Sequence, residues 1–406
     1  MSPSRGPRTR TLREGSASSA GMDAERLRAA GKLARGWADE GTVQTVEVLV
    51  ARHGVIVLHE VFGRLTTDPS SPKTPRNALF PLASITKLFT ATSLMTLVEE
   101  GRVGLNRPVS AYVPEFVGEH KDEVLVRHLL THTSGLKDDE LDRYALAPGR
   151  ETPSVTPDPT LHPLVQRYYA ARYGAPLWKQ PGIEMAYADF NFELAGEIVR
   201  RVSGMALGEF GASRIFRPLG MKDTTYYRSE VPTGRRVRGP PFPGDPNALP
   251  DPLGDQVTAA SETERVCLGA GFAYAPALDV AKFAQMFLNH GAYGRARILS
   301  PVTVGEMTRN QVPGISATFL DESFPEASWG LGWSVHGPKR SGGGLYSPEA
   351  FEHSGAGGTY LWVDPTYDLV GVYFAATERR LVWSEILKYW RADLFTDAVT
   401  AAIVTL

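Results

Sequence analysis

The chain has 406 residues, with 43 lysines and arginines against 45 aspartates and glutamates and a formal charge of −2, giving a pI near 6.5. The two signs are interspersed, so there is no polyanion-binding surface and nucleic acid is not an expected partner. One cysteine, Cys267, excludes an internal disulfide and offers no zinc-ligand spacing, and no apolar run is long enough to span a membrane.

Residues 1–20 are rich in Ser, Arg and Pro and lack the apolar stretch of a secretory signal, so they predict a disordered tail and a cytoplasmic protein. Residues 23–40 carry Leu27, Ala30, Leu33, Ala34 and Trp37 at helical spacing behind Asp23, which predicts an amphipathic helix. Residues 45–51 and 55–61 alternate around His53-Gly54 and predict a β-hairpin. A Pro-, Thr- and Ser-rich loop over 63–76 then leads to a long apolar helix beginning at Ser84. From 102 to about 260 the signals are helical or irregular, with helices expected over 124–131, 164–173, 192–202 and 207–216. A proline-dense stretch over 235–255 predicts a surface loop. A helix over 277–289 follows, then strands over 331–335, 351–353, 359–363 and 369–375, and a closing helix over 383–399.

Strands at both ends with helices between them predict an α/β fold of the α+β type. Its mostly antiparallel sheet is built from the N- and C-terminal segments and flanked by helices, with an all-helical lobe inserted. The expected organisation is one catalytic domain over 21–400, with an α/β lobe at 21–76 and 263–400 and a helical lobe at 77–262. A cleft between the lobes is the expected site.

The chemistry begins at Ser84-Ile85-Thr86-Lys87. A serine in the first turn of a helix has a lysine three residues on along the same face, close enough to activate the hydroxyl. The same spacing occurs at Ser70-Ser71-Pro72-Lys73 and Ser134-Gly135-Leu136-Lys137, but there Pro72 and Gly135 stand where a helical turn is needed. Tyr187, in a turn ahead of a helix, can shuttle protons, and close approach of Lys87 would favour its phenolate. Glu352-His353-Ser354-Gly355-Ala356-Gly357-Gly358-Thr359 supplies small residues that let a ligand lie along a strand edge. His128 and His132 have an i, i+4 spacing but lack the glutamate of a zinc protease, and neither a G-x-S-x-G elbow nor a P-loop is present.

Together these segments resemble the serine β-lactamase and penicillin-binding-protein superfamily, in its branch of class C β-lactamases, D-alanyl-D-alanine carboxypeptidases and related esterases. Ser84-Ile85-Thr86-Lys87 is similar to its S-x-x-K, Tyr187-Ala188-Asp189 to its Y-x-N, and His353-Ser354-Gly355 to its K-T-G or H-x-G strand motif. Leu129-Leu130-Thr131-His132-Thr133-Ser134-Gly135-Leu136, Pro218-Leu219-Gly220-Met221 and Gly330-Leu331-Gly332-Trp333 are similar to further landmarks. The resemblance implies an acyl-enzyme on Ser84, proton transfer by Lys87 and Tyr187, and an oxyanion hole from the amides of Ser84 and Ala356. Asp189, His353, Gly355 and Ala356 are the implied substrate-binding residues, and no metal or organic cofactor is expected.

Two departures bear on substrate. Asp189 replaces an asparagine amide by an acceptor-only carboxylate. His353 replaces a lysine, and an unperturbed histidine is mostly uncharged near neutral pH. The expected function is therefore a carboxylesterase on small or medium esters, with a D-amino-acid peptidase or weak β-lactamase as the alternative and a non-catalytic scaffold or ligand sensor as a third reading. Tyr168, Tyr169, Trp178, Phe242, Trp329, Trp333 and Tyr360 are candidate pocket walls.

Overall fold

The computed structural model describes residues 9–149, 158–239, 249–319, 322–336, 344–377 and 391–406. Among them, seven strands form the main sheet in the order Arg13–Glu14, Val55–Gly63, Val43–Arg52, Leu369–Thr377, Thr359–Asp364, Phe351–Gly355, Ser334–Val335. All neighbours are antiparallel except Arg13–Glu14, which runs parallel to Val55 and Ile56. The two chain ends thus meet at the centre of the sheet, where Leu369 faces Arg52 and Phe374 faces Glu47.

Alternation decides which way each strand residue points. Val46, Val48 and Val50 join the core beneath the Ala24–Asp39 and Arg391–Thr400 helices, whereas Leu49 and Ala51 join the core shared with the helical region. Both faces are covered, so Val43–Arg52 is buried throughout. The Ala24–Asp39 helix starts where expected, the Asp23 carboxylate accepting from the amides of Glu25 and Arg26 at 2.8 and 2.9 Å. The Thr86–Glu99 helix is buried from Thr86 to Leu97 and packs against the Asp189–Ser203 helix, as its all-round apolar pattern requires.

Several expectations fail for physical reasons. The segment 9–20 is not a free tail: Arg13–Glu14 extend the sheet, Ala17 and Ala20 are buried, and the buried Arg52 guanidinium donates to the carbonyls of Ala20, Gly21 and Thr405. The strand expected over 331–335 contracts to Ser334–Val335, because Gly332 adopts a φ of 95° and spends its amide on Leu130 O at 3.0 Å. In the proline-dense stretch, 240–248 lie outside the described residues, and its last residues enter a helix, Pro252–Ala260, with proline in the first turn and Asp251 capping Gly254. The closing helix is described as Arg391–Thr400, residues 378–390 lying outside the described residues. A hairpin of Ser316–Phe319 and Glu322–Phe324, with Glu184–Ala186 parallel to its first strand, was not expected and walls one side of Tyr187.

Candidate active site

Ser84 sits in a 3-10 turn, Ala83–Ile85, that runs directly into the Thr86–Glu99 helix. The turn is anchored by Leu82 N donating to Ala273 O at 2.8 Å, and by Ala273 N donating to Thr86 Oγ1 at 3.0 Å. One turn on, Lys87 is wholly buried and its Nζ donates to Ser84 Oγ at 2.9 Å and to Ala270 O at 3.1 Å. The same nitrogen pairs with Asp189 Oδ1 at 2.7 Å, while the Asp189 side chain remains 56% exposed.

Tyr187 follows the Glu184–Ala186 strand, and its hydroxyl is within hydrogen-bonding reach of both Lys87 and Ser84. Lys87 Nζ also lies 4.9 Å from the centre of the tyrosine ring. Asp189 opens the next helix, whose first amides are capped from the start of a distant helix, Asp138–Leu146: Asp138 accepts from Asp189 N at 2.7 Å and from Phe190 N at 3.3 Å. Asn191 does not substitute for the missing Y-x-N amide. It is buried, its oxygen accepts from Ser134 Oγ at 2.6 Å, and its nitrogen meets His132 Nδ1 at 3.3 Å.

The third element is the Phe351–Gly355 strand, in which Phe351, His353 and Gly355 share the buried face. An ideal β-carbon on Gly355 would lie 2.3 Å from Leu82 O and 3.3 Å from Ala83 Cβ, so only glycine lets this strand close on the loop that carries Ser84. Ser84 and Ala356, whose amides are the candidate oxyanion donors, immediately follow the two sides of that contact. His353 Nδ1 meets Ser354 O at 2.7 Å. A carbonyl can only accept, so Nδ1 carries the proton and Nε2, buried and without a partner among the described residues, is left as an acceptor.

Burial alone would push Lys87 toward the free amine, but Asp189 and the Tyr187 oxygen outweigh it, so its pKa stands above the ordinary lysine value and the group is an ammonium. The expected phenolate is not the resting form of Tyr187. Burial raises its pKa and Asp189 adds to the rise, more than Lys87 takes away. His353 is pushed down to about 3 by burial and by Lys87, hence neutral. Among the described residues, the cation at Ser84 is thus Lys87, and it is already matched by the Asp189 carboxylate.

All seven candidate residues converge here. Some support was not legible. Glu193 accepts from Gly269 N at 2.8 Å and Ala270 N at 3.1 Å, fixing the carbonyl that holds Lys87, and burial pushes its pKa up to about 7. Asp138 is likewise raised to about 7, by burial and then by the charge of Asp189. Only the small run Gly269-Ala270-Gly271 hinted at a close approach there. Of the aromatic candidates, Trp329 belongs to the site, with ring centroids 5.9 Å from Tyr187 and 5.7 Å from His353. Trp333 is a core residue among Phe283, Phe287 and Phe351, Tyr169 is buried against Phe190, and Tyr360 lies on the opposite face of the sheet bonded to Tyr346. Tyr168 and Trp178 instead carry cations, Arg172 over the first and Lys137 and Lys179 over the second, and Phe242 lies outside the described residues. Among the described residues no group of three or more His, Cys, Asp or Glu is placed to hold a metal ion, and no helix is long and apolar enough to cross a membrane.

A Salmonella agona protein with the provisional name D-alanyl-D-alanine carboxypeptidase is 26% identical over 374 residues, 85% of this chain and 81% of its own length. Among solved structures, a penicillin-binding protein homologue from Caulobacter crescentus superposes with a TM-score of 0.72 at 22% identity, covering 98% of this chain and all of that one. A family VIII carboxylesterase gives 0.71 at 21% identity, covering 94% and 99%. The family model described as Beta-lactamase matches residues 24–389. With that match over most of its length, and with the mixed fold those structures share, the chain belongs to the Beta-lactamase family of serine hydrolases.

Proposed function

We propose that this protein is a cofactor-independent serine hydrolase that works through an acyl-enzyme on Ser84, as a carboxylesterase on small or medium esters. The observation that carries the reading is Lys87 Nζ, 2.9 Å from Ser84 Oγ and 2.7 Å from Asp189. An ammonium has no lone pair and donates to Ser84 Oγ, so the serine proton leaves toward the other neighbour, the Tyr187 oxygen. In the reactive form Tyr187 is the phenolate. It takes the Ser84 proton as Oγ attacks the ester carbonyl, and the oxyanion forms against the amides of Ser84 and Ala356. Tyr187 then gives the proton to the departing alkoxide, and repeats both transfers with water to release the acid.

The ester preference follows from charge. A substrate carboxylate, as on a β-lactam or a terminal D-alanine, would meet a neutral His353 and a Lys87 already paired with Asp189. A D-amino-acid peptidase is the second reading, favoured by the name of the Salmonella relatives. The deciding assay compares turnover of p-nitrophenyl acetate and butyrate with that of D-alanyl-p-nitroanilide and nitrocefin, beside intact mass after fluorophosphonate treatment. The expected result is one adduct on Ser84 and ester turnover well above the other two. A faster amide would replace the esterase reading by the peptidase one.

Because Tyr187 must be ionised and its pKa is raised above the ordinary value of about 10, kcat/KM should climb with pH through the neutral range without levelling. Asp189→Asn removes a charge that raises both Lys87 and Tyr187. The rising limb should then move to lower pH, making the variant faster than wild type near pH 7 on esters. A limb that stays in place would show that Asp189 does not set the ionisation of the pair.

A further inference from the structure

His132 has no part in that scheme, yet it grips the Tyr187 turn at three points. Its carbonyl accepts from Ala186 N at 2.9 Å, its Nδ1 accepts from Ala188 N at 3.2 Å, and its ring stacks on the phenol with centroids 4.3 Å apart and planes 29° apart. The two amides bracket Tyr187, so a single residue fixes the chain on both sides of the phenol and the plane of the ring between them. The grip needs His132 in the left-handed region, at φ 55°, which residues with a β-carbon seldom adopt. The imidazole is buried, with Phe192 and the edge of Trp329 against it at 5.2 and 5.1 Å. A phenyl ring would stack as well but would leave the Ala188 amide buried and unpaired.

We propose that His132 is the positioning residue for Tyr187, a buried, uncharged imidazole clamp that holds the phenol oxygen within reach of Ser84 and Lys87. The inference rests on the acyl-enzyme reading above. Nδ1 can accept only while the ring is neutral. Burial, then the Lys87 ammonium, keep it so by holding its pKa well below the ordinary histidine value, the neighbouring His353 being neutral. The other groups facing it are Tyr187 and the Asn191 amide, neither of which carries a resting charge. A shift of the phenol by an ångström would spoil the transfer from Ser84 while leaving the substrate pocket intact.

The test measures kcat, KM and the pH dependence of kcat/KM on p-nitrophenyl butyrate for the full chain, with wild type and Ser84→Ala as references. His132→Phe keeps the plate and loses the acceptor. His132→Asn loses the plate but tolerates the left-handed backbone and keeps an oxygen for Ala188 N. The phenylalanine variant should lose up to about 100-fold in kcat with KM little changed and the pH limb displaced, and the asparagine variant should lose less. If both variants, folded by circular dichroism, keep the wild-type kcat and limb, or lose activity with the limb unmoved, the clamp is overturned. Should the phenylalanine variant not fold, an asparagine variant with unchanged kcat and limb overturns it alone. If wild type itself shows no turnover that Ser84→Ala abolishes, the acyl-enzyme reading has failed and the clamp falls with it.

Discussion

Ser84→Ala and Lys87→Met should each lower kcat/KM on a short p-nitrophenyl ester by about 10⁴-fold, and the double variant should be no worse than either alone. The first removes the attacking oxygen. The second leaves the oxygen but takes away the ammonium 2.9 Å from it, and with it the charge that opposes the burial of Tyr187. Without that cation the phenolate becomes rarer still, so serine and base fail together as one unit. Methionine fills the buried channel of the lysine stem, and Asp189, being half exposed, can turn to water when its partner is gone. The fold should therefore survive, with unchanged circular dichroism. Fluorophosphonate adduct formation should vanish in the first variant and slow by a similar factor in the second. Losses that multiplied in the double variant would mean that Lys87 acts on something other than Ser84.

What could be read in advance followed from short-range geometry. The Ser84 and Lys87 pair was legible because helical spacing puts residues three apart on one face, and the strands around Val48 and Val372 because strands packed on both faces leave short, β-branched apolar runs. Contacts set by the path of the chain were not. Asp138 caps a helix that starts 51 positions later, and Glu193 holds the 269–270 segment from 76 positions away. Neither leaves a periodic trace. His132 was visible as one half of a histidine pair and inside a landmark segment, but not in its role, which depends on a positive φ that local sequence does not announce. Trp333, Tyr169 and Tyr360, expected as pocket walls, went elsewhere for a different reason. Aromatic side chains pack equally well in a core, and the register that sends Tyr360 and Trp362 to the far face while Leu361 faces the site side requires knowing which residue pairs with Gly355.

Gly355→Ala should cost about 10²- to 10³-fold in kcat, the loss expected when one oxyanion donor moves out of place. The new β-carbon would stand 2.2 Å from Thr359 Oγ1 and 2.3 Å from Leu82 O. Both distances are far inside contact, and Leu82 O belongs to the backbone of the loop that carries Ser84, so it cannot swing aside as a side chain does. Strand and loop must separate, which carries the Ala356 amide away from the Ser84 amide and lowers stability by about 1–3 kcal/mol. Thermal melting would register the second effect and single-turnover acylation the first. Thr359 Oγ1 itself donates to Leu82 O at 3.1 Å, so it stands on the same contact. Adding Thr359→Ala relieves the conflict at 2.2 Å but not the one at 2.3 Å, and the double variant should stay slow. Recovery of activity there would show that the side chain of Thr359, rather than the closure of Gly355 on the Ser84 loop, sets the geometry of the hole.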